Sequence, residues 1–513
     1  MRKSLLIIAL VLTLSVTFCL ASFVSFAEDL TVTVTQADGA TVSVVEGENT
    51  LSDDDGVITL DAENRTVTLN NVTAKSISLA SGGNFTVEVV GENTFTNTSA
   101  QKVFQVTSGD VTIKGSGTLA VNAASNALYV AAGSYVQEDA TLNLTNSGGI
   151  DFLYAKKNVL ISGGSLTGVA TSYRGLNAGG NVTISGGSVD ATATANVIYP
   201  TGAILISGGN VTVRNTSSNT ALRSASADGI TISGGTVDLF SKTGQTIYAS
   251  AGPITVSGGN LTAEGTGKIL SGGTGVNITG GTLNLTSTAG NCVYSEKDIL
   301  ISMGDAKDPT NVNITASGDA FVLNKSAGQM TVTGGKISGT GTSLIYSADT
   351  TCVVNISDEA EFDFTASTAA CSNATPTLNV EDGISWVDGA ELTATATTVQ
   401  TTPVDWIYID SSEELLKIGS DEAYPLSGSY RLTADLDFAE TDWTPRGTFS
   451  GTFDGCGHII SNMHRGTASA PYSVTSTVTW GLFTTLSGTV KNLAVSDLII
   501  FCSIKMILFS GNL

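Results

Sequence analysis

One short phrase, returning every 22–26 residues, restricts this chain to a stack of repeats. It reads VLISGGSL at 159–166, VTISGGSV at 182–189, ILISGGNV at 204–211, ITISGGTV at 230–237, ITVSGGNL at 254–261 and VNITGGTL at 276–283. A last copy, MTVTGGKI, stands at 330–337, and the gap before it holds ILISMGDA, where Met303 replaces the first glycine. A unit this short cannot bury an apolar face alone, so neighbouring units must stack and share one interior. Within each phrase the apolar residues alternate (Val182, Ile184, Val189), which is strand periodicity. The Gly-Gly pair supplies the corner, since glycine reaches positive φ without a steric cost. These features predict an all-β fold: a single-stranded right-handed parallel β-helix of about 14 coils of 22–26 residues, with a smaller C-terminal β-rich module.

A looser form of the beat extends the stack both ways. VTLNNVTA (67–74), FTVEVVGENTFT (85–96) and VTIKGSGTL (111–119) place turns near Asn70, Gly91 and Gly115. VVNISDEAEF (353–362) and TLNVEDGISW (377–386) continue it past Gly334. At the ~4.8 Å spacing of paired strands, such a stack is roughly 65 Å long. The expected boundaries are a leader at 1–27, an N-terminal cap at 28–66 and the β-helix at 67–392. A Thr/Ala-rich linker at 393–403, a β module at 404–500 and an atypical tail at 501–513 follow. The cap is expected because an open coil leaves a row of unpaired backbone groups. Ser411 and Glu414 form a capping box that predicts one short helix.

A second column runs between the glycine corners: Leu128, Leu153, Leu176, Ile198, Leu222, Ile247, Ile269, Val293, Val322 and Ile345. If these form the buried rung of another strand, the following residue points outward. That places Tyr129, Tyr154, Asn177, Tyr199, Arg223, Tyr248, Leu270, Tyr294, Leu323 and Tyr346 on one face. Half of the chain's 12 tyrosines fall there. Aromatic rings in a row suit stacking against sugar rings, and Asn177 and Arg223 suit hydrogen bonding to hydroxyls or carboxylates. The candidate binding residues are Tyr129, Tyr154, Asn177, Tyr199, Arg223, Tyr248, Tyr294 and Tyr346. Against this stands the plain preference of Tyr for an exposed β face, where it packs on its coil neighbours.

The rest of the sequence bounds the setting. Arg2 and Lys3, an apolar run over residues 5–24 and a small-x-small site ending at Ala27 read as an export leader. No later stretch reaches the ~20 apolar residues that span a bilayer, so no membrane insertion is expected after cleavage. Loss of Arg2 and Lys3 takes the net charge from −23 to −25, which argues against nucleic acid as a partner. Cys292, Cys352, Cys371, Cys456 and Cys502 follow the leader without framework spacing, and only a Cys352–Cys371 bridge is left open. His458 and His464 are the only histidines, too few for a His-rich zinc site. Catalysis would need clustered carboxylates or an acid beside a base. Successive coils are expected to place no Asp or Glu in register beside Arg or Lys. Asp53-Asp54-Asp55 reads as a solvated turn, and Lys156, Lys157 and Arg174 as surface charges. No catalytic or metal residue is assigned, and no cofactor is expected beyond calcium, which the acidic surface leaves open.

The SGG phrases spaced by one coil resemble the β-helical carbohydrate-binding domains of secreted and surface proteins from clostridia and related gut bacteria, over roughly 60–390. That resemblance implies a non-catalytic binder of plant-type polysaccharide or acidic sugars, often with calcium on coil-edge aspartates. Its Gly-Asp-Gly element is approached here only at Asp228-Gly229. Residues 404–500 resemble the module that precedes GLUG repeats in bacterial adhesins. The resemblance rests on Tyr430-x-Leu432-x-x-Asp435, Phe449-x-Gly451-x-Phe453-Asp454-Gly455, His458-x-Ile460, Gly481-Leu482-Phe483 and Lys491-Asn492-Leu493. The expectation is a secreted, extracellular protein, with surface attachment open, that binds polysaccharide or a surface glycan or acts as an adhesin. The alternatives are a structural spacer on the cell surface and a pectate-lyase-like lyase or hydrolase.

Overall fold

In the computed structural model, each SGG phrase marks one corner of a parallel β-solenoid of about 16 turns. The structure describes residues 30–52, 55–99, 102–304, 309–382, 384–439, 443–466, 469, 471 and 481–500, and the backbone of 507–512. The expected leader at 1–27, Asp53, Asp54 and most of the tail at 501–513 lie outside the described residues.

Each coil contributes three strands. In one coil these are Val182–Ile184, Ser188–Ala193 and Ile198–Pro200. Each pairs in parallel with its equivalent one coil away, as Val182 does with Val159 and Ile204. Three long sheets result. The first holds the strand before the glycine corner and is crossed 14 times from Thr66–Asn70 to Thr377–Val380. The second holds the strand after the corner, and the third carries the tyrosines.

Stacking forces the side-chain pattern. Val159, Val182, Ile204, Ile230 and Ile254 form one inward rung column, and Ile161, Ile184, Ile206, Ile232 and Val256 form the next; all are fully buried. Burying each such side chain contributes about 1.5–3 kcal/mol. The corner is equally constrained. The second glycines adopt the left-handed region, with φ +71° at Gly187 and +82° at Gly209. A Cβ added at Gly209 would lie 2.7 Å from the Gly187 carbonyl oxygen of the coil below. Where Met303 replaces the first glycine, Gly304 still holds φ +75°.

Both ends of the stack are closed by antiparallel pairing. Thr31–Gln36 pairs antiparallel with Thr73–Ala80, and Thr398–Gln400 crosses the Ala360–Ala366 strand. The predicted helix forms over Ser412–Lys417, with the Ser411 hydroxyl accepting from the Glu414 amide at 3.4 Å. Cys352 and Cys371 are free thiols.

The C-terminal module repeats the same architecture in miniature. Trp406–Ile409, Ser429–Leu432, Thr452–Asp454 and Thr489–Lys491 form a parallel sheet. Shorter parallel pairings, Leu436–Asp437 with Ile459–Ser461 and Arg446–Phe449 with Phe483–Leu486, form its other sides. Its core is aromatic: Tyr430, Phe449 and Phe453 are fully buried, and Phe449 stacks on Phe483 at 4.1 Å.

Gly209→Ala is expected to lower stability by about 1–3 kcal/mol, because an L side chain there meets both strain and the Gly187 carbonyl. The exposed Ser207→Ala in the same phrase should change it by less than about 0.5 kcal/mol. Urea unfolding of the two variants compares them, and equal midpoints would contradict the corner argument.

Candidate functional site

Strands of the third sheet are three residues long and alternate inward, outward, inward, so each coil offers this face one outward side chain. The register places Gln105, Tyr129, Tyr154, Asn177 and Tyr199 on successive rungs. Arg223, Tyr248, Ser271, Tyr294, Val322 and Tyr346 continue the column. All six predicted tyrosines therefore share one outward line, and none is fully buried.

Two rungs correct the sequence reading. Leu270, not Ile269, pairs with Ile247 and Val293, and Phe321, not Val322, pairs with Val293 and Ile345. Leu270 and Leu323 point inward, and Ser271 and Val322 take the outward places. The cause is the corner before this strand, which buries the preceding residue as well (Val197, Ile269, Leu344). Two consecutive buried positions leave alternation unable to choose between them.

Five of the six rings, from Tyr129 to Tyr294, have an aromatic or cationic partner. Tyr129 and Tyr154 stack with centroids 5.1 Å apart and planes 17° apart. Lys102 Nζ stands 3.3 Å from the Tyr129 centroid and Lys268 Nζ 3.0 Å from that of Tyr294. The Arg223 guanidinium lies between Tyr199 and Tyr248, at 5.3 and 5.6 Å. Such contacts are worth about 0.5–2 kcal/mol each, more as water is removed. Arg223 Nε is enclosed and has no hydrogen-bond partner. The Tyr294 hydroxyl donates to Glu296 at 2.8 Å, and burial together with that carboxylate pushes the phenol pKa upward. Asn324 donates to Glu296 at 2.9 Å and holds its carboxyl below the usual range. Burial lowers the Lys268 ammonium, against the pull of Glu296.

Asn177 is not free to bind. It is 8% exposed, and its amide donates to Asp151 Oδ2 at 2.8 Å. Arg174 Nε donates to Asp151 Oδ1 at 2.9 Å. Asp151 and Arg174 hold equivalent positions on successive coils, each two residues ahead of its rung residue. This corrects two expectations: an acid does stand in register beside a base, and Arg174 is a structural ion-pair partner rather than a plain surface charge. Burial still raises the Asp151 pKa, with Asn177 and Arg174 opposing it.

Two further surfaces escaped the sequence reading. The second sheet presents three outward residues per coil, such as Ser188, Asp190 and Thr192, on a broad hydroxyl- and amide-rich face. Cross-rung bonds such as Asn313 to Asn284 (2.9 Å) knit it together. The other lies where the C-terminal module meets the last coil. There Lys491 Nζ sits 2.9 Å from Asp358 and 3.6 Å from Glu359, and Asn492 donates to Glu359 at 2.7 Å. Arg431 packs 3.9 Å from the Trp406 ring and 3.5 Å from the buried Asp454. Burial and Asp454 raise the Glu359 pKa. A cleft of about 480 Å³ opens beside this seam. Only the register of Arg431, Asp454 and Lys491 across three strands brings these charges together, and no local motif announces it. His458 serves a turn, its Nδ1 lying 3.1 Å from Asp435.

Among the described residues, no three or more His, Cys, Asp or Glu side chains stand together in a metal-holding group. No helix there is long and apolar enough to cross a membrane. Comparison with protein-family models, with curated proteins and with solved structures finds no match to this chain.

Because the Asp151 pKa is raised in the fold, its contribution to stability is full below the ordinary Asp range and is lost as pH rises through the raised value. Arg174→Ala removes the charge that moderates this loss. It is expected to cost roughly 1.5–3 kcal/mol at neutral pH and to steepen the decline from acid to neutral conditions. Thermal unfolding across that range measures both effects, and a curve parallel to the wild type would refute the coupling.

Proposed function

We propose that this protein is a non-catalytic, extracellular β-solenoid that binds polysaccharide or a surface glycan along its tyrosine-bearing face. The observation that carries this reading is the single outward column of Tyr129, Tyr154, Tyr199, Tyr248, Tyr294 and Tyr346, held by the parallel register of the third sheet. A half-exposed phenol offers a sugar both an apolar ring and a hydroxyl. Lys102, Arg223 and Lys268 stand beside the rings as donors in a chain that is otherwise strongly acidic. Rigid sheet strands fix these groups before any ligand arrives, which reduces the ordering cost of binding. The export leader at 1–27 agrees with a role outside the cytoplasm. Surface attachment, with the adhesin-like module at 404–500 beside the solenoid, belongs to the same proposal.

One observation favours a spacer role instead. Tyr129, Tyr199 and Tyr294 already have cations against their rings, so packing between coils accounts for part of the enrichment.

The test is co-sedimentation of the secreted chain with insoluble polysaccharides. Tyr199→Ala combined with Tyr248→Ala is expected to weaken retention at least tenfold, from two lost ring contacts. Retention equal to that of the wild type would leave the spacer reading in its place.

A further inference from the structure

The seam between the solenoid and the C-terminal module is one positive charge short. On the solenoid side stand Asp358 and Glu359, just ahead of the Ala360–Ala366 strand. On the module side the register sets Arg431, Asp454 and Lys491 in one row across three parallel strands. Three carboxyls thus meet two cations. Lys491 Nζ lies 2.9 Å from Asp358 and 3.6 Å from Glu359, and Arg431 Nε lies 3.5 Å from Asp454 Oδ2. Asn492 Nδ2 donates to Glu359 Oε1 at 2.7 Å and to Asp454 Oδ1 at 3.2 Å, so one nitrogen draws the two carboxyls together across the seam. Asp454 is fully buried, and among the described residues its Oδ2 accepts no hydrogen bond. A buried acceptor beside a second carboxyl calls for a donor, and a proton on that carboxyl supplies one.

We propose that a proton closes this joint: with the module docked, Glu359 is protonated and donates to Asp454 Oδ2, so mild acid tightens the module against the solenoid and rising pH loosens it. The surrounding groups agree. Burial and Asp454 raise the Glu359 pKa, against the pull of Lys491 and Arg431. All three charged partners belong to the module, so undocking returns Glu359 to the ordinary glutamate range. A group raised in the docked state contributes fully below its ordinary range, and that contribution is lost as pH rises through the raised value. The Cys456 thiol also faces Asp454 and Glu359; it is pushed up to about 12 and stays neutral throughout. His458 lines a neighbouring cleft with Glu359, but its Nδ1 lies against Asp435. Glu361 and Asp382 line the cleft of about 480 Å³ beside the seam and contact neither carboxyl of the pair through a hydrogen bond. The Lys491–Asp358 contact does not involve the proton, so losing it loosens the joint without removing its remaining ion pair.

Scanning calorimetry of the full secreted chain between about pH 5 and about pH 8 reads the coupling, with Glu359→Gln as the decisive variant. Its side-chain amide donates as the protonated acid does, but at every pH. The wild type is expected to lose roughly 4 °C or more across this range relative to the Gln variant, which should unfold at the higher temperature at about pH 8. Glu361→Gln makes the same change of charge on the same strand and is expected to keep the wild-type profile. Infrared spectra give a second measurement: near pH 5 the wild type should carry the carbonyl band of a protonated carboxyl that Glu359→Gln lacks. A Gln variant that declines in parallel with the wild type, or unfolds below it at about pH 8, would overturn the proposal. So would equal flattening by Glu361→Gln, or infrared spectra with no such difference.

Discussion

Every coil of this protein donates its backbone hydrogen bonds to the coil beside it, and that pairing is the constraint on which the rest depends. A parallel strand has no partner within its own coil, so the stack must continue or be closed. It is closed at one end by the antiparallel Thr31–Gln36 and at the other by Thr398–Gln400. Identical pairing at every rung also demands that each coil turn at the same place. Hence the second glycine of each pair adopts positive φ directly above its counterpart, with no space for a Cβ between them.

The interior shows how the turns are paid for in hydrogen bonds. Where the second strand bends toward the third, four coils place Asn146, Asn215, Ser241 or Ser287 at the buried position that others fill with alanine, such as Ala123, Ala170 and Ala193. Asn146 donates to the Ile150 carbonyl at 2.7 Å, and Ser241 donates to Asn219 at 2.7 Å. These short polar side chains satisfy carbonyls that the bend withdraws from the ladder, where an unmet group would cost about 1–3 kcal/mol. Tyr135 is the counterexample to the exposed tyrosines: it is fully buried, and its hydroxyl meets Gln137 at 3.1 Å. Gln137 in turn donates to the Ala140 and Ser165 carbonyls. The residue type does not decide which way a tyrosine faces; its place in the coil does.

On the third sheet, structure and recognition draw on the same chemistry. A cation against a phenol ring stabilises neighbouring coils and also leaves a charged donor beside an aromatic surface. Arg223 illustrates both, lying between two rings with its Nε unpaired. At the seam with the C-terminal module the charges face one another: Lys491 meets Asp358 and Glu359, and Arg431 Nε stands 3.5 Å from Asp454 Oδ2, an ion pair in which neither of these atoms makes a hydrogen bond. That cluster joins the long solenoid, whose interior is mainly aliphatic, to a smaller β-rich module whose core is richer in aromatic residues.

By itself the sequence determined the β-solenoid, its corners and the line of six tyrosines. Glycine pairs and alternating Val, Ile and Leu are local signals that one repeat carries complete. It could not choose between Ile269 and Leu270, or between Phe321 and Val322, because two successive buried residues satisfy the same apolar pattern. Nor could it show that Asp151 meets Arg174, that Asn177 is already engaged, or that Arg431, Asp454 and Lys491 converge. Those facts depend on which residues of different coils share a rung, and hydrogen-bond register between strands 20 or more residues apart exists only once the chain is stacked.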